Sequence, residues 1–67
     1  MNDRQIKAFL EAARLLNFTK AAEKLYVPQS QVSRAIAALE KELGTVLFER
    51  ENSRSITLSP AGEKYFS

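Results

Sequence analysis

Residues 18–43 read FTKAAEKLYVPQSQVSRAIAALEKEL and contain two helical patterns separated by a proline. Thr19 is the predicted N-cap of a short helix over residues 20–25, because its hydroxyl can accept a backbone N–H from the first turn. The helix is interrupted before Pro28, since proline disfavours helical conformation at the preceding residue. A longer third helix is expected to follow and to run to about Leu43.

This longer helix has two distinct faces. At 100° per residue, its large apolar side chains share one face: Val32, Ile36, Leu39 and Leu43. The opposite face is small, polar or basic: Ser30, Arg34, Ala37 and Lys41. Gly44 is suited to end the helix in the left-handed conformation. The pattern predicts a helix that packs on a core and presents a polar face outward.

The flanking residues form further elements. Apolar residues between Ile6 and Leu16 recur at helical spacing, which predicts a first helix over residues 4–16. After Gly44 the period changes, and the β-branched and aromatic stretches 46–48 and 55–58 predict a two-stranded hairpin. Ser59 and Pro60 suit an N-cap and a first helical position, so a fourth helix is expected to begin there.

Three helices followed by a hairpin are the order of elements in a winged helix-turn-helix. We therefore predict a mostly α fold, with the winged domain over residues 1–58 and the start of the fourth helix over residues 59–67. In such a domain the third helix enters the DNA major groove, and the hairpin lies over the flanking backbone. The same scaffold also serves as a protein-interaction module, so the elements alone leave both functions open.

Length and composition exclude several classes of protein. The 67 residues suffice for one small domain, and the sequence has neither cysteine nor histidine. Disulfides, zinc fingers and histidine-dependent hydrolytic triads are excluded, and we expect no enzymatic activity, cofactor or metal. The longest apolar run, residues 35–39, is far shorter than a membrane span, and residues 1–4 lack the apolar stretch of a signal peptide. A cytoplasmic protein is therefore expected.

Residue types at fixed spacings then identify a family. They are Phe18, Thr19, Ala21, Ala22 and Leu25; Gln29, Ser33, Ile36, Leu39, Glu40, Leu43, Gly44, Leu47, Phe48 and Arg50; and Leu58, Ser59, Ala61, Gly62 and Glu63. This pattern, within a match over residues 4–66, closely resembles the N-terminal domain of LysR-type transcriptional regulators. The chain differs from the commonest pattern at three positions. Pro28 often aligns with Ser or Thr in the family, Ser30 with Pro, and Ser59 with Thr.

The resemblance implies a helix-turn-helix at about residues 18–37, a wing at about residues 46–58 and a dimerisation linker helix that begins near Ser59. The implied function is sequence-specific DNA binding in a bacterial regulator, as half of a dimer on an interrupted inverted repeat in a promoter. Full-length members continue into a domain that binds a small-molecule effector, which is expected outside these residues. Because little of the linker helix is included, we expect this chain alone to be a monomer or to self-associate weakly.

Seven side chains are candidate DNA contacts: Thr19, Lys20, Gln29, Ser30, Ser33, Arg34 and Arg54. Arg34 is central on the outward face of the third helix, where a guanidinium fits guanine O6 and N7 or a phosphate. Gln29, Ser30 and Ser33 belong to its first turns, and the alternative for them is capping or solvation.

The remaining candidates belong to other elements. Thr19 and Lys20 begin the second helix, which crosses the DNA backbone in this class of domain. Arg54 belongs to the hairpin tip and is expected at the backbone or the minor groove. Arg50 is left open between a DNA contact and an ion pair with Glu40 or Glu42.

The alternative of a protein-interaction module is disfavoured by the outward face of the third helix. That face has no aromatic residue, whereas the centre of a protein interface is enriched in aromatic residues and depleted of Lys and Ser. The predicted core comprises large apolar residues: Phe9, Leu16, Phe18, Leu25, Val32, Ile36, Leu39, Leu43, Leu47, Phe48 and Leu58.

Overall fold

Three helices, a hairpin and a fourth helix follow one another along the chain in the predicted order. The computed structural model describes residues 1–50 and 56–67. Its elements are α1 (Asp3–Leu15), α2 (Phe18–Leu25), α3 (Gln29–Leu43), β1 (Phe48–Arg50), β2 (Ile56–Leu58) and α4 (Pro60–Phe66). The predicted architecture of three helices, a hairpin and the start of a fourth helix is confirmed. None of these described helices is long and apolar enough to cross a membrane.

Asparagines cap the first two helices. The Asn2 side chain accepts from the Gln5 N–H at 2.8 Å, and the Gln5 side chain accepts from the Asn2 N–H at 3.1 Å, which completes a capping box. The Asn17 side chain accepts from the Lys20 N–H at 2.8 Å and caps α2. The prediction that Thr19 is the N-cap is therefore wrong. Asn17 supplies the acceptor two residues earlier, so the helix already includes Thr19.

Three helices end on a residue in the left-handed conformation. Gly44 does so at φ 71° after α3, as predicted. Leu16 and Tyr26 end α1 and α2 at φ 51° and 60°, a region that non-glycine residues rarely adopt. Leu16 was predicted in the core, but its side chain is 41% exposed. The helical phase ends one residue earlier, so Leu15 packs against the core instead.

The hairpin is antiparallel, with Phe48 opposite Leu58 and Arg50 opposite Ile56. Its first strand begins at Phe48, so the prediction of a strand over residues 46–48 is wrong by two residues. The backbone of Leu47 is engaged elsewhere: its N–H donates to the Glu40 carboxylate at 2.7 Å, and its carbonyl accepts from the Ser59 N–H at 2.9 Å. Because the N–H and the carbonyl of Leu47 form these tertiary hydrogen bonds, strand pairing begins at the next residue, Phe48.

The core lies where α1, α2 and α3 meet the base of the hairpin. Ten of the eleven predicted core residues lie in it or against it: Phe9, Val32, Ile36, Leu39, Leu47 and Phe48 are buried, and Phe18, Leu25, Leu43 and Leu58 are partly buried. The Phe48 ring centroid is 5.7 Å from that of Phe9 and 5.4 Å from that of Phe18. Small residues outside the predicted core let the helices approach closely: Ala8, Ala12, Ala13, Ala21 and Ala22 are also buried.

Helix α4 is attached to the rest of the fold at its start through Ser59 and Gly62, which are both buried, and near its end through Phe66, whose ring centroid is 6.3 Å from that of Phe9. The Ser59 hydroxyl donates to the Val46 carbonyl at 2.6 Å and accepts from the Gly62 N–H at 3.0 Å, so its predicted capping role is confirmed. A Cβ on Gly62 would lie 2.1 Å from the Leu47 carbonyl oxygen. We call the contact of Ser59 and Gly62 with Val46 and Leu47 the α4 junction.

Candidate nucleic-acid interface

The outward face of α3 is free of the core along its whole length. Its members are exposed: Ser30, Arg34, Ala37 and Lys41. On the other side of the helix, Val32, Ile36 and Leu39 are at most 3% exposed and hold it against α1 and α2. The outward face therefore combines two exposed cations with small side chains.

The N-terminus of α3 has a distinctive arrangement. Pro28 is the N-cap and makes no side-chain hydrogen bond to the helix, so the helix begins at Gln29 without a side-chain cap. The amide Nε2 of Gln29 donates to the Ser33 hydroxyl at 2.8 Å, one turn further along. Exposed Gln29 and half-buried Ser33 thus form a polar pair beside the outward face. The positive end of the helix dipole at this terminus favours an anion.

Thr19 and Lys20 lie exposed in the first turn of α2. Since Asn17 supplies the capping oxygen, the Thr19 hydroxyl is not committed to the cap. Both side chains are therefore accessible to a backbone phosphate.

Arg50 has a partner that the sequence did not predict. Its guanidinium carbon lies 5.4 Å from the centroid of the Phe18 ring, within the range of a cation–π interaction. The acidic residues proposed as alternatives bind elsewhere: Glu40 accepts from the Leu47 N–H, and Glu42 pairs with the amino group of Met1 at 2.7 Å. Sequence spacing offers no indication of the Arg50–Phe18 contact, because it joins the hairpin to α2 across the fold.

The candidates divide into two groups by position. Gln29, Ser30, Ser33 and Arg34 are brought together on the first two turns of α3, and Thr19 and Lys20 lie on α2. Arg54 lies outside the described residues, so its predicted wing contact stays a prediction.

Comparison with known proteins relates this arrangement to DNA binding. A family described as "Bacterial regulatory helix-turn-helix protein, lysR family" matches residues 4–63. The glycine cleavage system transcriptional activator homolog of Haemophilus influenzae is 51% identical over 61 residues, which cover 91% of this chain and 20% of that protein. The chain thus spans about a fifth of the length of this curated relative.

Solved structures agree with the sequence comparison. The chain resembles the CbnR_DBD protein in its crystal structure with DNA, with a TM-score of 0.93 and 41% identity, covering 98% of this chain and 75% of that one. It resembles BenM_DBD in complex with benA site 1 DNA with a TM-score of 0.90 and 39% identity, covering 98% of this chain and 76% of that one. Proteins with this fold have therefore been crystallised in complex with DNA.

Proposed function

Since the chain belongs to the LysR family of bacterial regulatory helix-turn-helix proteins and forms the DNA-binding domain of a transcriptional regulator, we propose that α3 is its recognition helix. In this proposal α3 enters the major groove, with Arg34 on a base edge and Gln29, Ser30 and Ser33 on bases or on the adjacent phosphate. The family is one of regulators and not of enzymes, in agreement with the sequence prediction.

The observation that carries this proposal is the outward face of α3. Arg34 and Lys41 are exposed there among side chains no larger than serine, which suits close approach to a groove wall and electrostatic attraction to DNA. A protein-binding surface would instead be expected to have aromatic or large aliphatic residues at its centre.

Contacts with the DNA backbone are assigned to the flanking elements. Thr19 and Lys20 at the start of α2 would contact a phosphate on one side of the groove, where the first helix of the motif crosses the backbone. Arg54 in the wing would contact the backbone or the minor groove. Such contacts position the domain and contribute affinity without reading the sequence.

The longer protein is proposed to act as a dimer or higher oligomer. We divide the chain into a winged domain over residues 1–58 and the start of a dimerisation linker helix over residues 59–67. Tyr65 and Phe66 on α4 are 52% and 40% exposed, which supports their use in a contact between subunits. The proposed operator is an interrupted inverted repeat in a promoter, which suits a dimer. The site for a small-molecule effector is proposed to lie in a further domain. The proposed location of the protein is the cytoplasm.

Selection of bound duplexes from a random DNA pool, with the immobilised 67-residue chain, tests this function. We expect enrichment of one half-site. Arg34→Ala should weaken binding to that site by about 1–3 kcal/mol and relax the preference at one base pair, as the loss of a bidentate base contact does.

Arg14→Ala is the matched control. Arg14 is exposed on α1, where it pairs with Glu11, and its removal subtracts the same charge without touching α3. Any effect of this variant should be equal on selected and random duplexes. An equally uniform loss for Arg34→Ala would contradict base reading and leave a phosphate contact, and failure to enrich any sequence would contradict the proposed function itself.

A further inference from the structure

A hydrogen bond already organises the start of α3 in the absence of DNA. Gln29 is the first residue of the helix, and its Nε2 donates to the Ser33 hydroxyl oxygen at 2.8 Å. Residues four apart lie on the same side of a helix, so this bond runs along the helix surface. It links two of the candidate DNA contacts to each other.

The bond leaves useful hydrogen-bonding capacity on both side chains. A carboxamide has two N–H donors and one acceptor oxygen, and within residues 1–50 and 56–67 the one partner of this amide is Ser33, which occupies one donor. The second N–H and the Oε1 of Gln29 are therefore available to a ligand. This remaining donor and acceptor pair matches the major-groove edge of adenine, which presents the N7 acceptor next to the N6 amino donor.

The bond also restricts the orientation of the amide. An exposed glutamine rotates about several bonds, and ordering such a side chain on binding reduces affinity by about 2- to 13-fold, which corresponds to the usual ordering free energy of one side chain. Ser33 is better fixed than Gln29, since it is half-buried beside the core residues Val32 and Ile36. The serine can therefore hold the amide before DNA arrives.

We propose that Gln29 reads an adenine in the half-site and that Ser33 is the positioning residue that orients its amide. This inference rests on the proposed function, because it requires α3 to enter the major groove. It differs from a direct role for Ser33 at a phosphate, which would affect all sequences equally.

A double-mutant cycle on the 67-residue chain tests the proposal. Gln29→Ala first identifies, by selection from a random pool, the base pair whose preference depends on Gln29. Dissociation constants are then measured on two duplexes that differ only at this base pair, for the wild type, Gln29→Ala, Ser33→Ala and the double variant. Ser33→Thr keeps the hydroxyl and is the conservative variant.

We expect Gln29→Ala to reduce the discrimination between the two duplexes by roughly 5- to 160-fold, the range of one bidentate contact. Ser33→Ala should reduce it by about 2- to 13-fold when Gln29 is present and should leave it unchanged in the Gln29→Ala background. Ser33→Thr should retain the discrimination. Since alanine is a better helix former than serine, Ser33→Ala should remain folded.

Nuclear magnetic resonance of the free protein supplies a readout that does not involve DNA. The side-chain NH₂ of Gln29 should shift and become more mobile in Ser33→Ala but not in Ser33→Thr. A uniform loss of affinity in Ser33→Ala, on both duplexes and in both backgrounds, would overturn the positioning role. Unchanged preference in Gln29→Ala would overturn adenine reading, whereas a wild-type chain that selects no sequence would overturn the proposed function and this inference with it.

Discussion

Gly62→Ala places two opposite effects in competition at the α4 junction. Alanine is favoured over glycine in a helix by about 1 kcal/mol, so helix propensity alone predicts a more stable protein. The added Cβ, however, would lie 2.1 Å from the Leu47 carbonyl oxygen and 2.9 Å from Leu58 Cδ2. Carbon atoms in ordinary contact are about 3.5–4.0 Å apart, so α4 has to move away by more than ~1 Å.

This movement removes favourable contacts. It stretches the hydrogen bond from the Ser59 N–H to the Leu47 carbonyl, which is 2.9 Å long in the wild type. A hydrogen bond of this kind stabilises the folded state by about 1 kcal/mol. Overpacking itself destabilises by about 1–3 kcal/mol. These losses exceed the gain in propensity, and we expect Gly62→Ala to lower the free energy of unfolding by about 1–3 kcal/mol.

Thermal unfolding followed by circular dichroism measures this difference. For a domain of this size, 1 kcal/mol corresponds to a change in Tm of about 4–8 °C, so a fall of at least about 4 °C is expected. The difference between Lys64→Ala and Lys64→Gly, at an exposed position of the same helix, calibrates the propensity term, because both variants remove the same charge. An unchanged or raised Tm for Gly62→Ala would refute the close approach of α4 to Leu47.

Three further outcomes are expected. Asn17→Ala should destabilise the fold by about 0.5–2 kcal/mol through loss of the α2 cap, whereas the stability of Thr19→Ala should stay within about 0.5 kcal/mol of the wild type. Urea unfolding of both variants measures the two effects. A larger loss for Thr19→Ala than for Asn17→Ala would contradict the cap assignment. Glu40→Ala should lower the free energy of unfolding by about 1–3 kcal/mol, because it leaves the partly buried Leu47 N–H without its acceptor. Glu40→Gln keeps an acceptor oxygen and should lower it by less in the same assay. Equal losses for the two variants would contradict this explanation. Arg54→Ala should weaken binding to all duplexes alike and reduce the slope of log affinity against log salt by about 0.9, and an unchanged slope would exclude a phosphate contact.

Self-association of the 67-residue chain is the remaining expectation. We expect sedimentation equilibrium to find a monomer or weak association at micromolar concentration, because Tyr65 and Phe66 alone offer less than the ~1,200 Å² of a stable interface. A tight dimer would show that another surface carries the contact, with the exposed Ile6 and Leu10 on α1 as the first residues to replace.

Local patterns predicted the elements well, because their determinants are close in sequence. The apolar face of α3, the left-handed Gly44 and the Ser59 cap each depend on residues within a few positions. Three of the candidate contacts on α3, Gln29, Ser30 and Arg34, are exposed close together for the same reason, because helical spacing defines that face. Whether they contact DNA stays a prediction.

The misplaced features depend on competing or distant partners. Thr19 and Asn17 both carry a capping acceptor, and the structure uses Asn17, two residues earlier. The predicted strand begins two residues before the observed one, because sequence periodicity does not reveal that Glu40 and Ser59 form hydrogen bonds with the backbone of Leu47. Contacts of this kind join separate elements, so they follow from the packing and not from the local sequence.

The α4 junction has a geometric consequence for any subunit attached beyond it. Helix α4 has seven residues here, or about 10 Å at 1.5 Å per residue, and a tilt of about 10° at its base moves its far end by about 2 Å. Along a linker helix of about 20 residues the same tilt grows to about 5 Å, more than the 3.4 Å between successive base pairs. In the proposed dimer, the hydrogen bonds of the α4 junction would therefore influence the distance between the two half-sites that the paired domains occupy together.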